Sequence, residues 1–168
     1  MLDFNRLTLL RAKRPLLHCV SNIVSANDCA NLALAVGASP MMAQAAEEME
    51  EITAISSATV LNTGTPDRER FNVCRICGEA AQAIGQPIIL DPVGVGASSW
   101  RMAEVAKLLE AVRPSIIRAN PGEAEALCRR SSGEQGVDSI SFVNTEQRIR
   151  LAKELAVRYR TAVLVSGS

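Results

Sequence analysis

The sequence predicts an α/β fold built on a mainly parallel sheet. Short apolar runs at residues 16–20, 59–62, 88–90, 115–118 and 162–165 alternate with longer stretches of helical periodicity. The runs are continuous and branched, as strands covered on both faces require. At 168 residues, with 48% hydrophobic side chains, the chain has material for one domain with a real core. Only 3% of residues are aromatic, so Ala, Val, Leu and Ile must fill that core.

Residues 3–13 read as a helix with Phe4, Leu7 and Leu10 at helical spacing, stopped by Pro15. The first strand, 16–20, carries His18 inside an apolar run, which points to a hydrogen-bonded core histidine. Ser25-Ala26-Asn27-Asp28 matches a capping box, and the helix it opens runs to Gly37. A short extended piece, 39–43, precedes an acidic run from Glu47 to Glu51 that suits a solvated first helical turn. After strand 59–62, Thr65 as N-cap and Pro66 at the first helical position predict a helix to about Ile84, ended by Gly85.

Strand 88–90 delivers Asp91 to its carboxyl end, where Pro92 bars further pairing. The following Gly94 and Gly96 would let backbone approach a ligand closely. A hard carboxylate beside a glycine-rich turn suits a magnesium–phosphate ligand. An ordinary strand-to-helix turn with a capping Asp would have the same sequence. Residues 100–112 read as a helix, 115–118 as a strand, and Asn120-Pro121-Gly122-Glu123 as a capped helix start. Gly122 is unexplained by capping alone. Residues 131–143 read as a polar surface loop. An amphipathic helix follows at 144–160, with Ile149, Leu151, Leu155 and Val157 on its apolar side.

Right-handed crossovers bring strand ends of like sense to one side of such a sheet. Asn22, Met42, Gly64, Asp91, Arg118 and Ser166 then share one edge, where α/β proteins bind ligands. Asp91 and Glu123 would supply oxygen ligands to Mg2+, directly or through water. Arg118 would present a fork of donors to phosphate oxygens, although a structural ion pair reads equally well. Ser166 would donate to phosphate, with Gly167 leaving room. There is no P-loop, and GVGASS is not a dinucleotide fingerprint.

Lys plus Arg equals Asp plus Glu, 18 against 18, and no basic stripe interleaves with aromatics, which argues against a nucleic-acid partner. No apolar run approaches the roughly 20 residues of a membrane helix. With no signal-peptide core in the first fifteen residues, the expectation is a soluble cytoplasmic protein with no membrane partner. The five cysteines are scattered, and Cys74-x-x-Cys77 reads as buried small hydrophobes.

Five segments carry a resemblance: HCVSNIVSANDCANLALAVGASPMMA, VLNTGT, ILDPVGVGAS, IRANPGE and GVDS. In order and spacing they resemble the hydroxyethylthiazole kinases, ribokinase-like enzymes of thiamine salvage. The resemblance implies ATP-dependent phosphorylation of the hydroxyl of 4-methyl-5-(2-hydroxyethyl)thiazole with Mg2+, in a homotrimer with active sites at subunit boundaries. It matches Met42 and Asn22 to the thiazole side, Arg118 and Ser166 to ATP, and Asp91 and Glu123 to the magnesium–phosphate region. Family members continue for roughly another hundred residues, a length still compatible with one domain. That portion holds a G-T-G-C segment with the anion hole and a cysteine in the base position. The expectation is therefore a sheet incomplete at the C-terminus, no catalytic base here, and impaired turnover. The alternatives are a kinase of another vitamin alcohol (hydroxymethylpyrimidine or pyridoxal) and a non-catalytic nucleotide- or thiazole-binding module. Met42 and the Asn62-x-Gly64-Thr65 segment favour thiazole.

Overall fold

A computed structural model describes residues 5–132 and 144–167, the side chains of 130–132 excepted. Of the loop expected at 131–143, residues 131–132 continue a helix; residues 133–143, with the GVDS segment, lie outside the described residues, as do Phe4 and Ser168. The first half runs α1 (Asn5–Lys13), β1 (Leu16–Val20), α2 (Ala26–Val36), β2 (Ser39–Met41), α3 (Met49–Ile55) and β3 (Ala58–Asn62). The second half runs α4 (Arg68–Ala83), β4 (Ile88–Asp91), α5 (Ser99–Ala111), β5 (Ile116–Ala119), α6 (Pro121–Ser132), α7 (Thr145–Tyr159) and β6 (Ala162–Val165). One-turn 3-10 segments precede α3 and α5.

The six strands form one sheet in the order β2-β1-β3-β4-β5-β6, and every neighbouring pair is parallel. The step from β1 to β2 runs opposite along the sheet to all later steps. Right-handed crossovers therefore put α2 on one face and the later helices on the other. Burial follows that division. Leu61, Ile88, Leu90 and Ile117 are buried with Met49, Cys74, Cys77 and Val112 under the later helices. Ala119 joins Leu127, Leu151 and Leu155 in an adjoining cluster toward the β6 end. On the opposite face Ile116 and Leu164 remain 38% and 56% exposed, because α2 covers only the β2 side.

Side chains alternate across a strand, so Asn62, Asp91 and Arg118 point away from the main core. The β3–β4 register sets Asn62 directly beside Asp91, and the β4–β5 register pairs Leu90 with Ile117, one residue before Arg118. Three polar side chains thus meet on one face at the carboxyl rim.

Three local expectations are corrected. Ser25 makes no side-chain cap on α2: its backbone (φ −108°, ψ 0°) is not in the extended conformation of a capping residue, and the entry to the helix is held by the Asn22 carboxamide oxygen, which accepts the N–H groups of Val24 and Ser25 at 2.9 and 3.0 Å. Helix α4 starts after Asp67, whose carboxylate accepts from Arg70 N at 2.7 Å, and Thr65 is left in a left-handed turn with φ +43°. A charged acceptor two residues on outcompetes the Thr65 hydroxyl. On α7 only Leu151 and Leu155 bury; Ile149 and Val157 are exposed. Gly37, Gly85 and the Asn120/Glu123 capping box fall as read.

His18 is fully buried, and its Nδ1 lies 3.0 Å from Thr53 Oγ1 with Cys77 Sγ at 3.8 Å. Burial lowers its proton affinity, partly offset by Glu48. The unfolded chain binds a proton near the ordinary value of about 6.5 while the fold resists it. The stabilisation is complete above that value and is lost as pH falls toward the depressed folded value. Urea midpoints of the wild type should therefore fall more steeply between pH 7 and 5 than those of His18→Gln. Parallel profiles would contradict this reading of His18.

Candidate functional site

Because every strand is parallel, the carboxyl ends share one edge, and the expected residues gather there. Asn22 lies two residues beyond β1, Gly64 two beyond β3, Asp91 ends β4, Arg118 is next to last in β5, and Ser166 follows β6. Hydrogen bonds join four of these strand ends in a row. Asn22 Nδ2 donates to Asn62 Oδ1 at 2.9 Å, and Asn62 Nδ2 donates to Asp91 Oδ2 at 3.1 Å. Arg118 Nη1 reaches the same Oδ2 at 3.4 Å. Arg70 of α4 reaches back to the Ser21 carbonyl at 2.6 Å and ties that helix to the end of β1.

Asp91 is held under opposing influences. Burial raises its proton affinity; Arg118 lowers it, Glu123 raises it, and the hydrogen bonds from Arg118 and Asn62 lower it, for a net rise. The Arg118 side chain is 44% exposed and its contact is long, so it is a weak permanent partner free to turn toward a ligand. Asp91 Oδ1 is buried with no hydrogen-bond partner. So are Thr63 Oγ1 and Ser166 Oγ. These three orphaned atoms are the full set among the described residues, and all sit at the carboxyl ends of β3, β4 and β6. Buried polar atoms are normally partnered, and these three exceptions lie along the edge at which α/β proteins bind ligands.

Glu123 holds the glycine turn. Its Oε1 accepts from Gly94 N at 2.9 Å and its Oε2 from Asn120 N at 2.8 Å, while Asn120 Oδ1 accepts from Glu123 N at 2.9 Å. The capping box thus clamps the Asp91–Ala97 turn onto the start of α6. Packing against α6 accounts for Gly96 and the left-handed turn for Gly94. Gly94 adopts φ +65°, and a Cβ on Gly96 would lie 2.9 Å from that of Ala126 on α6. Gly64 likewise makes room for Asn22, whose Nδ2 a Cβ would meet at 2.8 Å. At Gly122 a Cβ would meet nothing nearer than Asn120 Oδ1 at 3.5 Å, so protein packing does not demand glycine there. Met42 is half-buried just beyond edge strand β2.

Asn62 and Thr63 were absent from the residues picked from sequence. Their one signal was position: a polar pair ending an apolar strand just before Gly64. Burial pushes the thiols of Cys19 and Cys77 up to about 11 and those of Cys74 and Cys128 up to about 12, so they stay protonated at neutral pH. No group of three or more His, Cys, Asp or Glu residues is arranged to hold a metal ion among the described residues.

The fold is that of a ribokinase-like α/β protein, a class in which ligands bind outside the carboxyl ends of the strands. The solved hydroxyethylthiazole kinase of Pyrococcus horikoshii OT3 superposes with a TM-score of 0.86 at 35% identity, over 98% of this chain and 60% of that one. The chain belongs to the hydroxyethylthiazole kinase family, whose model matches residues 7–168. The hydroxyethylthiazole kinase of Clostridium tetani is 40% identical over 98% of this chain, and that of Listeria monocytogenes (strain HCC23) 42% identical over 99%. The chain spans 61% of the length of each of these two relatives.

Removing the clamp tests its structural role. Glu123→Ala leaves two backbone N–H groups without their charged acceptor and should cost about 1.5–3 kcal/mol by urea denaturation. Glu123→Gln, which keeps one acceptor oxygen, should cost less. Wild-type stability in the Ala variant would show that the turn does not depend on Glu123.

Proposed function

We propose that this chain serves ATP-dependent phosphorylation of the hydroxyl of 4-methyl-5-(2-hydroxyethyl)thiazole, the thiamine-salvage reaction for which its relatives are named. The observation that carries this reading is the set of three orphaned polar atoms at the sheet edge, one of them a carboxylate oxygen flanked by an arginine. Phosphoryl transfer needs positioning and charge stabilisation more than covalent chemistry, and this edge is equipped for both.

Mg2+ fits the orphaned Asp91 Oδ1, a hard oxygen with a free lone pair. When bound, Mg2+ would supply positive charge against that developing on the transferred phosphoryl group, with Asp91 as the residue that would hold it. Glu123 adds negative charge on the same side while its oxygens hold the turn. Arg118 swings its exposed guanidinium onto phosphate oxygens, and the Ser166 hydroxyl donates to them beside Gly167, whose φ of +117° clears the backbone. On the acceptor side, Asn22 and Gly64 border the alcohol and Met42 forms a soft wall for the thiazole ring. None of the protonated buried cysteines is assigned as base for the hydroxyl.

The assembly we propose is a homotrimer. Ile23 and Val24, 72% and 79% exposed immediately after Asn22, are apolar surface that a second copy would cover beside the acceptor site. The cytoplasm is the proposed location. No helix among the described residues is long and apolar enough to cross a membrane, and no disulfide joins any of the five cysteines among the described residues.

Calorimetric titration tests the reading. The wild type should bind ATP more tightly with Mg2+ than with EDTA, and should prefer the thiazole alcohol over hydroxymethylpyrimidine and pyridoxal. Asp91→Asn should weaken Mg2+-dependent ATP binding about tenfold or more while leaving the urea midpoint nearly unchanged. Unchanged Mg2+ dependence in that variant would return Asp91 to a purely structural role. Binding of the thiazole and Mg2+–ATP without any ADP release, even from a chain extended by the C-terminal portion that its relatives carry, would favour a non-catalytic binding module.

A further inference from the structure

We propose that Asn62 is the positioning residue of this site: its carboxamide holds one oxygen of Asp91, fixes the orientation of the carboxylate and so leaves the other oxygen facing the ligand. The inference rests on the reading of Asp91 as the metal-facing group.

The orientation of the Asn62 amide follows from its partners. Gly64 N lies 2.9 Å from Asn62 Oδ1, and a backbone N–H can only donate, so that atom must be the oxygen. Nδ2 is thereby turned toward Asp91 Oδ2. The same logic fixes Asn22, whose Oδ1 accepts two backbone N–H groups, leaving its Nδ2 to face Asn62. The row therefore has one polarity. Every donor runs from β1 toward β4 and ends on the carboxylate.

Two consequences follow. Asp91 Oδ2 is engaged by Asn62 and Arg118, so Oδ1 alone remains free, and rotating the carboxylate would break the Asn62 bond. The acceptor-side residue Asn22 and the metal-side residue Asp91 also share Asn62 as their common partner. A displacement of either is felt by the other through one rigid, 9% exposed side chain. Neither aspartate, which would set carboxylate against carboxylate, nor an apolar residue can supply both an acceptor and a donor at position 62.

Asn62→Ser in the 168-residue chain isolates this role. Its hydroxyl still accepts from Gly64 N–H but is too short to reach Asp91. ATP binding is measured by calorimetry with Mg2+ and with EDTA, beside the thermal midpoint of the free protein. Affinity with Mg2+ should fall about tenfold or more while affinity in EDTA moves by less than about twofold. A merely structural asparagine would lower the thermal midpoint and leave the ratio of the two affinities intact, which overturns the inference. Asn62→Thr, better suited to a strand, gives the same comparison if the serine variant does not fold. A wild type that binds ATP equally with and without Mg2+ would overturn the assignment of Asp91, and this inference with it.

Discussion

The pairing of Asn62 with Asp91 across β3 and β4 is the contact on which the site depends. A carboxylate at a sheet edge is costly to bury unless donors meet it, and this register provides one at 3.1 Å. The donor is itself held by Gly64 and by Asn22 on the next strand. Asp91 is thereby partnered on one side only. Its other oxygen is kept buried and free, a cost the fold tolerates where a ligand is meant to bind.

The turn beyond Asp91 explains why the edge keeps its shape. Gly94 N and Asn120 N both point at the Glu123 carboxylate, so one buried acid joins the β4–α5 turn to the start of α6. Gly96 lets that turn lie against Ala126. The Arg118 side of the edge is therefore built from two crossovers bound to each other, and the Arg118 side chain projects from β5 44% exposed.

Much of this was legible in the sequence because parallel strands place their ends alike. Alternation of apolar runs with helical stretches was enough to bring Asn22, Asp91, Arg118 and Ser166 to one edge. Asn62 was not legible as a site residue, since its importance lies in standing opposite Asp91, and register belongs to two strands together. Gly96 was ambiguous for a related reason: a missing Cβ clears space, and the neighbour that fills it, Ala126, lies on a helix thirty residues away. The α4 start was missed because Thr65 and Asp67 are both good caps in sequence, and only the backbone shows that Asp67 is the one whose side chain meets a helix N–H, that of Arg70.

The central claim is that ligands meet this chain at the carboxyl edge, around the free oxygen of Asp91. Backbone amide chemical shifts recorded as Mg2+–ATP is added test it most directly. The account predicts the largest changes at residues 22–25, 62–64, 91–96, 118–123 and 166–167, with the outer helical surfaces silent. Changes centred instead on the groove between α4 and α5, lined by Arg68, Arg75 and Trp100, with the edge unmoved, would contradict it.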